Sequence, residues 1–207
     1  VLVSDLSGKS NISFKANELD IKYKDSKEIT SKLVSKVKDL EFEGYQFEAA
    51  DASLELILRE LSGEYSPFFK VLDSKVHISY DESGTEKADA TLKVLVGDDI
   101  EHTASDGDGP VDALNNALRK ALAMFFPELK DVRLTDYKVR VLNEQEGTGA
   151  KVRVLIESAY EDDSCSTIGV SKNIIEASRQ ALSDSFNYRL AKLSNWSIKN
   201  KKSLQLS

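Results

Sequence analysis

The sequence predicts an α+β fold: a helical subdomain over 1–65, a duplicated βββα domain over 66–193, and a flexible tail over 194–207. Three observations predict it. Apolar residues recur at three- and four-residue steps before Gly63. Past Pro67 they alternate with polar ones. And "GDGPVDALNNALRKAL", from Gly107, has a second version in "TIGVSKNIIEASRQAL", from Thr167.

Within the first segment, Ile29, Leu33, Val34, Val37 and Leu40 outline one helix, with Gly44 as its stop. A second helix starts near Ala49. Its stripe is Leu54, Ile57, Leu58 and Leu61, and Gly63 ends it. Helices this short do not bury a stripe alone, so they pack on each other or on a partner.

The first βββα unit is expected over about 67–127. Val76, Ile78 and Tyr80 share one face of a strand from Lys75 to Tyr80, and "DESGT" is a turn. Ala90, Leu92, Val94 and Val96 share a face of the next strand. Gly97 to Asp99 turn the chain into "IEHTA". A helix then begins near Pro110, a residue suited to the first helical position. Val111, Leu114, Leu118, Ala121, Leu122 and Phe125 form its stripe.

The second unit, about 128–190, repeats the order. A strand covers Tyr137 to Leu142, a turn holds Gly147 and Gly149, and "AKVRVLIES" follows. A third strand covers Cys165 to Ile168, and a helix starts near Ser171. Adding 60 carries Ala90 to Ala150, Val94 to Val154, Leu95 to Leu155 and Gly109 to Gly169. It also carries Ala117 to Ala177, Arg119 to Arg179, Ala121 to Ala181 and Leu122 to Leu182. One register through both periods reads as an internal duplication. In that register Val170, Ser171 and Lys172 stand where the first copy has Pro110, Val111 and Asp112.

Composition narrows the function classes. The net charge of −7 argues against a nucleic-acid partner, which needs a basic face. The single cysteine, Cys165, leaves no internal disulfide and fits a reducing, cytoplasmic compartment. No apolar run approaches the roughly 20 residues of a membrane span. The chain opens at Val1 rather than methionine and is expected to be part of a larger protein.

The sequence offers no catalytic set. "SGKS" (Ser7 to Ser10) resembles the end of a phosphate loop, but Val3 stands where that motif needs glycine. His77 and His102 fall on different strands with no second ligand at metal spacing, so no metal site is expected. Cys165 has no base beside it in sequence. The charged runs read as solvated turns.

The glycine turns remain. Amide donors at a helix start attract a carboxylate, and glycine lets a ligand approach. Asp112 in the first turn is able to receive an ammonium, and Val, Leu and Ile side chains surround it in sequence. That set suits a free aliphatic amino acid. The plainer readings stand beside it: Gly-Pro is an ordinary turn before a helix, and a first-turn carboxylate is an ordinary dipole partner.

The pieces "VLVSDLSGKSNI", "EGYQFEAADASLELIL", "HTASDGDGPVDALNNALRKAL", "LTDYKVRVL", "AKVRVLIES" and "GVSKNIIEASRQALSDSFNY" together resemble the C-terminal region of the 2-isopropylmalate synthase/citramalate synthase family. "GYQFE" and "LTDYKVRVL" resemble its citramalate branch most. The resemblance implies a barrel outside this chain, condensing acetyl-CoA with a 2-oxo acid at a divalent metal, so no cofactor is expected here. It implies a linker and an allosteric region that forms a homodimer. It implies an effector pocket at Gly107, Gly109, Pro110, Val111, Asp112, Leu134 and Tyr137, with walls near Ala150, Val152, Ile168 and Gly169. The expected effector is isoleucine, else leucine. Ser7, Gly8, Lys9, Ser10 and Asn11 are implied to couple to the catalytic site. A module that dimerises and binds nothing is the alternative of another class.

Overall fold

The computed structural model of this chain describes residues 27–142, 144–161 and 163–195, with Leu19 and Ile21. The segment Ser7 to Asn11 and most of the expected tail lie outside the described residues. Two compact units emerge. One is Pro67–Val132. The other joins the described residues up to Ser66 with those from Arg133 to Asn195. The helical segment, expected as a subdomain of its own, therefore clusters with the second βββα copy.

Helix α1 spans Lys27–Glu43. Leu33, Val37 and Leu40 are buried along one side of it. Gly44 ends it at φ +115°, and this left-handed turn lets the amides of Gly44 and Tyr45 both reach the Leu40 carbonyl, at 3.1 and 3.0 Å. One 3-10 turn, Phe47–Ala49, leads to α2, Asp51–Ser62. Leu61, expected in the α2 stripe, is exposed, and Leu56 is buried instead. The cause is that α2 packs on more than one neighbour, so its buried arc is wider than a single stripe.

In the Pro67–Val132 unit, strands β1 (Phe69–Tyr80), β2 (Glu86–Val96) and β3 (Asp99–Gly107) form an antiparallel sheet in that order. β1 begins six residues before the alternation shows it. The register slips between Val71 and Asp73, and an extra residue there inverts the in-out pattern. The 81–85 turn is held by Asp81, whose Oδ1 accepts from the Ser83 and Thr85 amides at 2.9 and 3.0 Å. Ala88, Ala90, Leu92, Val94 and Val96 are buried under helix α3, Pro110–Leu122. Of the expected α3 stripe, Val111 is only half-buried and Phe125 falls past the helix end. Arg119 donates to the carbonyls of Leu129 and Val132, fixing the 3-10 turn Pro127–Asp131.

The second sheet repeats the order with β4 (Arg133–Val141), β5 (Val152–Tyr160) and β6 (Asp163–Ser171). β4 also starts early because of a slip, between Leu134 and Asp136. Helix α4, Ile174–Leu193, starts three residues after the sequence places it, capped by the Asn173 side chain on the Ile175 amide at 2.9 Å. It covers the Val154, Ile156, Ser158 and Tyr160 face. The opposite face, Leu155, Ile168 and Val170, packs against Leu33, Val37, Leu40, Phe47, Leu54 and Leu58 of the helical segment.

The duplication is real, but its offset is 64 residues rather than 60. Thr103 Oγ1 donates to the Ala117 carbonyl at 3.0 Å, and Thr167 Oγ1 to the Ala181 carbonyl at 2.8 Å. Val96 pairs with Asp99 where Tyr160 pairs with Asp163. Left-handed Gly97 has its counterpart in left-handed Glu161. A shift of four residues keeps the strand face, because four is even, and nearly keeps the helix face, because it is about one turn. The 60-residue matches are thus pairs that share a face one turn apart. Gly109 corresponds to Asn173, not Gly169. The residues opposite Pro110, Val111 and Asp112 are Ile174, Ile175 and Glu176. Arg119 and Arg179 are not equivalents, and Arg179 pairs with Glu176 at 2.6 Å instead.

Gly107 and Gly169 let backbones meet. A Cβ on Gly169 would strike the Ala177 carbonyl and lie 3.0 Å from Gln180 Cβ, whereas one on Gly109 would meet nothing within 4 Å. Gly169→Ala should therefore cost about 1–3 kcal/mol by forcing strand and helix apart. Gly109→Ala should stay within about 1 kcal/mol. Urea unfolding midpoints of the two variants decide it.

Candidate functional site

The turn between β3 and α3 is built from close backbone contact. A Cβ on Gly107 would lie 2.7 Å from the Asp112 carbonyl carbon, so the strand end rests on the first helical turn. Gly109 takes the N-cap position with extended backbone, φ −166°, and supplies no side-chain cap. Pro110 follows at the first helical position. The Ala113 amide reaches the Gly109 carbonyl at 2.9 Å. A helix leaves its first amides without intrahelical partners, so those of Val111 and Asp112 face the turn.

Asp112 braces this turn. Its Oδ2 accepts from the Asp108 amide at 3.0 Å and from Asn116 Nδ2 at 3.2 Å. Asn116 also donates to the Asp106 carbonyl at 3.2 Å. The carboxylate is exposed, and among the described residues no Lys or Arg pairs with it. The second copy has the same i, i+4 pair in Glu176 and Gln180, joined at 3.1 Å. There, however, Arg179 also grips the carboxylate through Nε and Nη2, at 2.7 and 2.6 Å, and this holds Glu176 below its ordinary pKa. Asn115 occupies the corresponding position in the first copy. One helix start is neutralised by its own chain, and the other is left acidic.

The remaining expected pocket residues lie on the second sheet. Tyr137, Val152 and Gly169 share the face that α4 covers, because they pair in register with Ile156, Val141 and Val154. The Tyr137 hydroxyl lies 2.9 Å from Ser178 Oγ, on the first turns of α4. Leu134 is partly exposed beside the β4 slip, and Ala150 is buried after the 3-10 turn Glu144–Gly149. Ile168 is the exception. Adjacent to Gly169 in a strand, it points to the opposite face, into the core with α1 and α2. It does not share a wall with Tyr137 and Gly169.

α4 leaves the β4 side of its sheet uncovered. Val139 and Val141 are 42% and 44% exposed on that face, and Ile174, at the start of α4, is 42% exposed. The position matching Val141 in the first copy is Ile78, also 44% exposed. The alternation in both strands shows these residues but not that the helix fails to reach them.

The family profile described as LeuA allosteric (dimerisation) domain matches residues 48–190. The chain belongs to that family. It is 49% identical over 197 residues to an (R)-citramalate synthase of Geobacter sulfurreducens, covering 93% of this chain and 37% of the relative. It is 47% identical to one of Aquifex aeolicus, again covering 93% and 37%. A 2-isopropylmalate synthase of Aquifex aeolicus is 27% identical, covering 90% and 33%. The chain thus spans a little over a third of the length of these citramalate synthases. It is a regulatory and dimerisation region of this family, with the citramalate synthases the nearer group.

Among the described residues, no cluster of three or more His, Cys, Asp or Glu is placed to hold a metal, and no helix is long and apolar enough to cross a membrane. Cys165 is buried, and burial pushes its thiol up to about 11, which disfavours the thiolate. His77 lies exposed, 3.2 Å from Asp89.

A second polar cluster escapes the sequence patterns. Ser53, on α2, donates to Asp184 Oδ2 on α4 at 2.6 Å and accepts from the Ile168 amide at 3.1 Å. Ser53 follows Ala52 just before an apolar stripe, and a buried hydroxyl there gives no periodic signal. Burial pushes the Asp184 carboxyl from 3.8 up to about 7, with Glu60 adding to the rise and the Ser53 hydrogen bond opposing it. Tyr45 and Tyr65 feel the same charge.

A raised folded-state pKa means that the folded chain binds the proton more tightly, so this group's contribution to stability falls as pH rises from about 4 to about 7. Asp184→Asn keeps an acceptor for Ser53 without the charge. It should match the parent near pH 4 and exceed it by about 1–3 kcal/mol at pH 8. Urea unfolding of both proteins across that range measures the difference.

Proposed function

We propose that this chain is the amino-acid-sensing and dimerising region of a citramalate synthase, with isoleucine as its feedback inhibitor. The observation that carries the reading is the acidic helix start of the first copy: forward-facing amides for a carboxylate, and an exposed Asp112 without a cationic partner for an ammonium. The matched family description, an allosteric domain, supports a ligand. The greater identity to citramalate synthases than to 2-isopropylmalate synthases supports isoleucine over leucine. Two branched ligands of such similar size are separated by about 1–3 kcal/mol in an apolar pocket, so the choice belongs to shape rather than to charge.

In this reading, acetyl-CoA and pyruvate are condensed at a divalent metal in the part of the enzyme that this chain does not cover. Val139 and Val141 on the second sheet, and Ile78 on the first, each supply half-exposed apolar side chains for pairing two copies in the cytoplasm. The effector prefers one arrangement of the paired regions, and a coupling of about 1–3 kcal/mol is enough for strong feedback.

Isoleucine at millimolar concentration should raise the melting temperature of the chain by several degrees, more than leucine or valine does. Asp112→Ala should remove most of that rise while leaving the ligand-free melting temperature within about 3 °C. Differential scanning calorimetry with the three amino acids is the measurement. A dimer that responds to none of them would be a structural module.

A further inference from the structure

We propose that Ser53 is the clasp that makes α2 and the β6 edge open as one cooperative unit. This rests on the sensing role only for what would drive it.

The outer edge of β6 has no neighbouring strand among the described residues. Its amides need partners from elsewhere, because a buried unpaired N–H is costly. Two side chains provide them at Ile168 and Val170. Ser53 Oγ takes the Ile168 amide at 3.1 Å, and Gln180 Oε1 takes the Val170 amide at 3.0 Å. Tyr45 reaches the same Gln180 oxygen at 3.3 Å. The bond at Ser53 is the one that leads off the sheet into α2.

Ser53 is fully buried. A serine hydroxyl offers one donor and two acceptor positions. Its proton goes to Asp184 Oδ2 on α4, and one lone pair goes to β6. The orientation that satisfies Asp184 is the one that presents a lone pair to Ile168. One hydroxyl therefore fixes three elements, α2, α4 and β6, relative to each other. If α2 lifts, it leaves both the β6 amide and the Asp184 carboxylate unpaired. Opening of α2 and loosening of the β6 edge are thus one event. β6 also carries Gly169, an expected effector contact, so a ligand that shifts β6 would be felt along α2 through this hydroxyl.

Native-state hydrogen exchange on the intact chain tests the clasp without ligand. Ser53→Ala is close to isosteric. It should speed exchange of the α2 amides and of Ile168 at least tenfold, while Val154 and Ile156 in β5 stay within about threefold of the parent. Asp184→Asn, which still accepts from Ser53, should show no acceleration of α2 or Ile168 over the parent. Asp184→Ala should show the Ser53→Ala pattern. Unchanged exchange in α2, or equal acceleration in β5, in Ser53→Ala or Asp184→Ala overturns the proposal, as does faster α2 exchange in Asp184→Asn. Isoleucine gives a further reading: it should slow α2 exchange in the parent and not in Ser53→Ala, and equal slowing in both also overturns the clasp. If the parent binds no amino acid, the sensing role fails, and the ligand-free exchange still decides the clasp.

Discussion

A three-stranded sheet has two faces, and one helix covers only one of them. This constraint organises the second unit. α4 takes the face with Val154 and Ile156, which leaves Leu155, Ile168 and Val170 needing another apolar cover. The helical segment supplies it with Leu33, Val37, Leu40, Phe47, Leu54 and Leu58. Burying such side chains stabilises by about 1.5–3 kcal/mol each, so the segment is held by its stripe before any polar contact is counted. The first copy shows the converse. At the positions matching Leu155, Ile168 and Val170 it has Thr91, Ala104 and Asp106. That face of its sheet is polar and has no stripe to attract. After duplication the two back faces diverged in polarity, and that divergence decides which copy the helices join.

The same constraint explains how much of the fold is legible in sequence. Alternation in β2 and the stripe of α3 are plain because one face of each is buried and the other wet. β1 and β4 lose their first residues to a register slip, which inverts alternation without any change in composition. The duplication is visible but its register is not. Offsets of 60 and 64 place apolar residues on the same faces, and composition alone favours the wrong one through the Arg-x-Ala-Leu match. The hydroxyls of Thr103 and Thr167 on helix carbonyls fix the right one, and a bond to a carbonyl leaves no periodic trace.

At the site, sequence reading finds residue types and misses directions. Ile168 and Gly169 are neighbours in a strand, so no single pocket wall takes both side-chain positions. Asp112 appears in the sequence as a lone first-turn carboxylate, while the structure shows it already bracing Asp108 and Asn116. The corrected register adds what the uncorrected one hides. Both copies start their helices on the same acid–amide pair, and only the second carries Arg179 to neutralise it. The asymmetry between the copies lies in this cation as well as in the turn, where Asn173 with its side-chain cap stands in place of Gly109.

The division between apolar and polar contacts has a consequence for regulation. A stripe of six buried side chains is far stronger than any coupling energy an effector supplies, so effector binding alone does not detach the helical segment. A buried hydrogen bond is worth about 1 kcal/mol net, and more where it meets a charge. That is the scale of an allosteric coupling. Contacts such as Ser53 with Asp184 and the Ile168 amide are therefore the ones a ligand has the energy to shift, whereas the stripe around Leu54 and Ile168 is not. Attachment and signalling run over the same surface, separated by the strength of the interactions that carry them.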